Sequence, residues 1–225
     1  MLVELGVGPG WHCLEIGAGG GSMSAWVASR VGPTGRVVAV DADVTDELRA
    51  VRLPRLEVER CDLRTDELPG GPFSLVYARL VLGYIGDRVV PRLTARLCRG
   101  GTLVIEDYDW YAARTSSDPL NTALASYRRL LESIGLDPRF GTRLQGILRR
   151  AGLDALGTCA RTRRGDTSGP VGRLFRRTLD TAAPALLDRA LITRRELRAA
   201  LRAIEDPATE LETPALVACW GRRWR

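Results

Sequence analysis

Lysine is missing: all 33 basic residues are arginine, and the 225 residues include one histidine, His12. A Schiff-base lysine is therefore excluded, and so is a P-loop, which must end in Gly-Lys-Ser/Thr. One histidine excludes multi-histidine metal sites. The five cysteines, Cys13, Cys61, Cys98, Cys159 and Cys219, are far apart, odd in number and never spaced as CxxC. That excludes a disulfide framework or zinc ribbon and implies reduced thiols in a cytoplasmic protein. No apolar run approaches the ~20 residues of a membrane span. The opening MLVELGVGPGW has neither a basic n-region nor a continuous apolar stretch, so it does not read as a signal peptide.

What remains is 45% hydrophobic and 27% charged, enough to bury a core in one domain. Five short apolar runs bounded by Gly, Pro or Asp read as strands: His12–Ile16, Arg36–Val40, Leu56–Glu59, Phe73–Tyr77 and Thr102–Glu106. Helical stretches at Met23–Val31, Thr45–Val51 and Arg88–Cys98 lie between them. Apolar strands alternating with helices imply an α/β, doubly wound, mostly parallel sheet covered on both faces. Further on, Leu120–Ile134, Thr142–Ala151, Val171–Ala183 and Ala185–Ala203 read as helices, with breaks at Pro184 and Thr193. Two more strand candidates, Gly157–Arg163 and Ala215–Trp220, bring the sheet to seven. The expectation is one domain spanning 1–225, with helical cap insertions near 118–151 and 171–203.

The sharpest motif is Leu14-Glu-Ile-Gly-Ala-Gly-Gly-Gly-Ser22, which follows a strand and opens a helix. Its glycines permit a tight turn and close approach of a ligand, and the helix start beyond favours a polar group. Read as GxGxxG, its third position is Ser22, so the dinucleotide fingerprint is imperfect. Asp41 ends the second strand, where one carboxylate can accept from both hydroxyls of a ribose. Glu15, two residues before Gly17, would repel a pyrophosphate but suits a ligand carrying a sulfonium and an ammonium group. This favours S-adenosylmethionine over NAD, although an NAD-dependent oxidoreductase would also explain the loop and Asp41.

In order along the chain come ELGVGPGWHCLEIGAGGGS, GRVVAVDAD, Val58-Glu-Arg-Cys-Asp62-Leu, Phe73-Ser-Leu-Val-Tyr-Ala-Arg79, Arg99-Gly-Gly-Thr-Leu-Val-Ile-Glu106 and Ala215-Leu-Val-Ala-Cys-Trp-Gly221. This series resembles the class I S-adenosylmethionine-dependent methyltransferases, most closely small-molecule enzymes of actinobacterial type. The resemblance implies a Rossmann-like methyltransferase fold. It implies that Gly17, Ala18, Gly19 and Gly21 lie under the methionine part, with Glu15 near its amino group and Ser22 where loop meets helix. Asp41 then takes the ribose, Ala42 packs on the adenine, and Asp62 accepts from the adenine amine beside Leu63. Ala78 and Arg79 form the floor beneath the methionine end. Ser74 stands where the family commonly has Asp. Such enzymes usually carry a helical lid before the first strand. Here eleven residues precede His12, so the lid is expected to be missing, supplied by the helices after Asp118, or contributed by another subunit, which leaves a homodimer open.

Methyl transfer from a sulfonium needs alignment and exclusion of water, and a base only where the nucleophile is protonated. His12 opens the first strand, far from the ligand edge, and arginine stays protonated. Carboxylates and tyrosines remain. The loop Glu106-Asp-Tyr-Asp-Trp-Tyr111 follows the fifth strand, where Asp107, or Glu106 beside it, is the candidate catalytic residue, and Trp110 or Tyr108, with Tyr84, a candidate wall of the substrate pocket. The bland alternative is that these acids cap the loop and the aromatics pack. A metal site would need a further acid after the fourth strand, where Tyr77-Ala-Arg79 stands, so none is expected. The net charge of +6 and the arginine clusters raise nucleic acid as a partner. Arg194, Arg195, Arg198 and Arg202, however, follow helical spacing among acids, as on a solvated face. The expected function is methylation of oxygen, nitrogen or carbon on a small molecule, in secondary metabolism. A cofactor-binding protein without methyl transfer, or an RNA methyltransferase, are the alternatives.

Overall fold

The computed structural model describes residues 2–224. The chain forms two compact units, one of Met1–Asp107, Arg143–Cys159 and Ala218–Arg225, the other of Tyr108–Thr142 and Ala160–Val217.

The first unit is built on β1 (His12–Ile16), β2 (Arg36–Asp41), β3 (Leu56–Arg60), β4 (Phe73–Arg79) and β5 (Leu97–Asp109). Its helices among these are α1 (Ser22–Val31), α2 (Asp46–Ala50), α3 (Leu82–Ile85) and α4 (Val90–Ala95). The later segments are β6 (Arg114–Thr115), α5 (Asp118–Ser133), α6 (Phe140–Arg150), β7 (Asp154–Arg161) and β8 (Arg164–Gly165). After these come α7 (Pro170–Asp188), α8 (Arg194–Glu205), β9 (Leu211–Glu212) and β10 (Ala215–Arg222). The main sheet runs β3-β2-β1-β4-β5-β10-β7, with β1 parallel to β2 and β4, β2 parallel to β3, and β4 parallel to β5. Strand order reverses at β1, between β2 and β4. At such a switch point the loops diverge and leave a crevice at the carboxyl ends. Leu14, Ile16, Val37 to Val40, Leu75, Val76 and Leu103 to Ile105 are fully buried. Such continuous apolar strands fit a sheet covered on both faces.

Two departures from the sequence pattern have local causes. The fifth strand starts at Leu97 rather than Thr102, and helix α4 stops at Ala95 rather than Cys98. Pairing with β4 passes from Phe73↔Leu97 to Leu75↔Thr102, so the Arg99-Gly-Gly stretch is a bulge within a strand, not a break before one. A side chain at Gly101 would collide with the Phe73 and Cys98 carbonyls, which explains the glycine.

In the second unit, α5, α7 and α8 enclose Leu120, Leu124, Phe175, Leu179, Leu186, Leu197 and Ala200. A short sheet, β6-β9-β8, joins the same core through Leu211. Its strands have two residues each, too few for any periodic signal. Pro184 does not break α7, which continues to Asp188. The proline lies on the exposed side of the helix, so water can satisfy the carbonyl that loses its amide partner. Leu179, Ala182 and Leu186 bury the opposite stripe on either side of it. The break at Thr193 is present: its hydroxyl accepts from the Glu196 amide, and the Glu196 side chain returns to the Thr193 amide. Helix α6 divides from α5, since 143–150 belong with the main sheet.

No helix among the described residues is long and apolar enough to cross a membrane.

Candidate functional site

A cleft of about 400 Å³ opens at the carboxyl ends of β1 to β4 and is lined by the turns that follow each strand. Gly17 and Gly19 come from the turn after β1, Asp41 and Ala42 from β2, Cys61 to Arg64 from β3, and Arg79 to Val81 with Tyr84 and Ile85 from β4 and α3.

The turn after β1 is tied to β2 by backbone. The amides of Gly17 and Ala18 both donate to the Val40 carbonyl, at 2.8 and 3.1 Å. Gly17 (φ +70°), Gly19 (φ +54°) and Gly21 (φ +76°) all take the left-handed region. At Gly17 the conformation combines with a close approach, because a methyl group there would overlap the Val81 side chain. At Gly19 a methyl group would meet nothing, so this glycine leaves an open cradle.

Asp41 organises this edge. Its Oδ2 accepts from the Gly19 amide at 2.9 Å and its Oδ1 from the Asp43 amide at 3.0 Å. A carboxylate offers about four acceptor directions, so two remain for a ligand diol. Across the cleft, Asp62 is gripped by Arg64, and burial of Leu63 anchors the same turn. The Arg64 hydrogen bonds hold the Asp62 carboxyl down to about 2. At the β4 end, the Arg79 guanidinium pairs with Glu106 at 3.6 Å, and Glu106 also accepts from the buried Tyr77 hydroxyl at 2.6 Å. A cation is thus fixed beside the glycine turn.

Of the expected cofactor residues, Gly17, Gly19, Asp41, Ala42, Asp62, Leu63 and Arg79 come together in this cleft. Glu15, Ala18, Gly21, Ser22 and Ala78 do not line it. Ala18 packs with Ala39 and Leu48, Ala78 is fully buried, and Ser22 is the exposed first residue of α1. A side chain at Gly21 would collide with Leu48 and Val51, so that glycine serves packing. Glu15 is buried and accepts a hydrogen bond from Ser24 on α1.

Tyr84 lines the cleft and is 69% exposed. Asp107, at the carboxyl end of β5, is buried and accepts from the Gly83 amide at 2.9 Å. Trp110 belongs to the second unit, where its ring meets Tyr127 edge-on at 4.8 Å and Tyr108 at 5.5 Å.

Five lining residues escaped the sequence reading: Cys61, Arg64, Leu80, Val81 and Ile85. Leu80 takes φ +56°, unusual for its type, and its amide donates to the Glu106 carbonyl at 2.8 Å. That turn leads the chain to Val81, against Gly17. A leucine gives no sequence signal for it. Arg64, two residues after an acid, was visible only as one arginine among many.

The buried Glu15 predicts a pH effect on stability. Burial pushes its carboxyl up to about 7 from the usual 4.5, against the opposing pull of Ser24 and Arg79. Between those values the folded protein keeps a proton that the unfolded chain releases, so this contribution is present below about pH 4.5 and is lost as pH rises through about 7. Relative to Glu15→Gln, the wild type should lose about 3 kcal/mol of stability across that range. Urea unfolding of both proteins at pH 5 and pH 8 measures it, and a constant difference would put the Glu15 carboxyl in contact with water.

Residues 13–101 match the family model described as a methyltransferase domain. The chain is 29% identical over 155 residues to methyltransferase str3 of Strobilurus tenacellus, covering 65% of this chain and 54% of that protein. Among solved structures it is similar to a cyclopropane-fatty-acyl-phospholipid synthase-like protein from Lactobacillus casei, with TM-score 0.62, 19% identity and coverage of 98% and 88%. It is also similar to Haemonchus contortus phosphoethanolamine N-methyltransferase 2, solved with phosphomonomethylethanolamine and S-adenosylhomocysteine, with TM-score 0.59 and 15% identity, covering all of this chain and 52% of that one. The chain spans about half the length of the curated relatives it matches, 46% and 54% for the first two.

Proposed function

We propose that this chain, which carries a class I S-adenosylmethionine-dependent methyltransferase domain, binds that cofactor in the cleft of the first unit and methylates a small molecule. The observation that carries the reading is Asp41, a carboxylate tied to the glycine turn by one oxygen and to Asp43 by the other, with acceptor capacity left for a ribose diol. The residues present fit the group. Gly19 leaves room that a side chain would fill, and about 400 Å³ is within the usual size of a small-molecule cleft.

The polarity of the cleft supports one direction of binding. Asp62, an acceptor, stands after β3 for the adenine amine, and Asp41 at the end of β2 takes the ribose. The Arg79 cation, at the end of β4, pairs with the carboxylate of the methionine end. When bound, the cofactor supplies an electrophilic methyl group that an acceptor displaces in line. The chain's own residues hold and orient it, and Leu80, Val81 and Ile85 exclude water from that side. Asp107 holds the start of α3 through Gly83, which positions Tyr84 at the cleft. The acceptor is an oxygen, nitrogen or carbon nucleophile on a small molecule, and a natural product is the class the sequence resemblance suggests.

The orientation is testable by binding. Arg79→Ala should weaken S-adenosylhomocysteine by about tenfold, from loss of a charge-assisted hydrogen bond, and leave 5′-methylthioadenosine unaffected. Equal weakening of both ligands would overturn the placement of the amino-acid end at Arg79.

A further inference from the structure

The turn after β3 is built more firmly than its exposure requires. Arg64 reaches back to Asp62 with three donors: Nε to Oδ1 at 3.0 Å, Nη2 to Oδ2 at 2.8 Å, and its own amide to Oδ1 at 3.0 Å. The turn is closed beneath by Arg92, which donates to the Leu63 carbonyl at 2.6 Å and also to the Asp66 carbonyl. The Asp62 amide donates to the Asp66 side chain at 2.9 Å. Asp62 and Arg64 both line the cleft.

A carboxylate has about four acceptor directions, two on each oxygen. Arg64 takes both on Oδ1 and one on Oδ2. One direction on Oδ2 remains, on a group that stays ionised and therefore can only accept. We propose that Arg64 is a positioning residue for base recognition: by fixing Asp62 it leaves one acceptor direction that selects an amino purine over an oxo purine. The inference rests on the cofactor reading above. An adenine amine can donate to the free direction, whereas the carbonyl oxygen of hypoxanthine presents a second acceptor and is repelled. In the oxo analogue the hydrogen bond from the amine to the ionised carboxylate is lost and two acceptors face each other. Lysine would not replace Arg64, since a bidentate grip needs the planar fork.

The experiment compares S-adenosylhomocysteine with S-inosylhomocysteine, in which the amine is exchanged for a carbonyl and N1 gains a hydrogen, by titration calorimetry. Wild type should prefer the amino purine by about 10- to 100-fold, the range for one hydrogen bond to a charged group. Arg64→Ala should lower that ratio to about threefold, mainly by weakening S-adenosylhomocysteine, with Arg64→Lys intermediate. The Arg64 side chain is 68% exposed, so thermal unfolding should be unchanged and serves as the folding control. An unchanged ratio in Arg64→Ala would overturn the inference, and so would tighter S-adenosylhomocysteine binding, which would make Arg64 a plug rather than a support. If wild type bound neither ligand, the cofactor reading itself would fall. Binding of S-adenosylhomocysteine with the ratio kept in the variant sinks only the role of Arg64.

Discussion

Gly17→Ala is expected to destabilise the protein by about 2–5 kcal/mol and to abolish binding of S-adenosylhomocysteine in the cleft. Two costs add. Gly17 has φ +70°, where a side chain costs about 1–2 kcal/mol in strain. The new methyl group would also overlap Val81, and overpacking costs about 1–3 kcal/mol. Neither wall gives way easily. The Gly17 amide is bonded to the Val40 carbonyl at 2.8 Å, and the turn bearing Val81 is held by the bond from the Leu80 amide to the Glu106 carbonyl, also 2.8 Å. Combining the change with Val81→Ala should restore the packing share of the loss and leave the conformational share. Urea unfolding of the single and double variants separates the two. A single variant as stable as wild type would mean that the turn after β1 neither needs the left-handed conformation nor lies against Val81.

Asp41→Ala is expected to weaken S-adenosylhomocysteine by about 10- to 100-fold, as hydrogen bonds to a charged group are worth about 1.5–3 kcal/mol. The side chain accepts from the Gly19 and Asp43 amides, and in the proposed complex it also offers its remaining capacity to the ribose. Alanine removes both functions. Asp41→Asn keeps the shape and one acceptor oxygen but exchanges the other for a donor that faces an amide hydrogen. It should therefore fall between wild type and alanine. Asp41 ends an otherwise buried strand at its solvent edge, so the unfolding midpoint should move little in either variant. Unchanged affinity in Asp41→Ala, measured by calorimetry, would remove the ribose assignment.

Much of the first unit was legible because strand and loop chemistry coincide there. The β1 limits match the apolar run residue for residue, and the glycines that mark the loop are needed for its left-handed turns. Asp41 was legible as the acid that ends the second strand, whereas Asp62 and Arg79 were placed by the family resemblance; a parallel sheet gathers all three positions at one edge. Glu15 shows the limit of that reasoning. It lies within β1, so its side chain projects from the sheet face rather than from the edge, and it meets Ser24 on α1. The Leu80–Val81 turn between Arg79 and Tyr84 was not legible, because Leu80 adopts its backbone from tertiary context against the preference of its type. The small sheet of the second unit had too few residues per strand to leave a pattern. Pro184 misled because its effect on a helix depends on which side faces water. The arginine-rich composition turned out to be informative in one place: Arg64 on Asp62 is a specific pair within a general surface tendency.

The central claim is that the cleft of the first unit is the cofactor site, with Asp41 at its middle. Amide hydrogen exchange of the intact protein with and without S-adenosylhomocysteine tests it most directly. The account predicts slowed exchange at Gly17 to Gly19, Asp41 to Asp43, Asp62 to Arg64 and Leu80 to Ile85, and no such change in Asp41→Ala at the same ligand concentration. Protection absent from these turns, or equally strong in the variant, would contradict it.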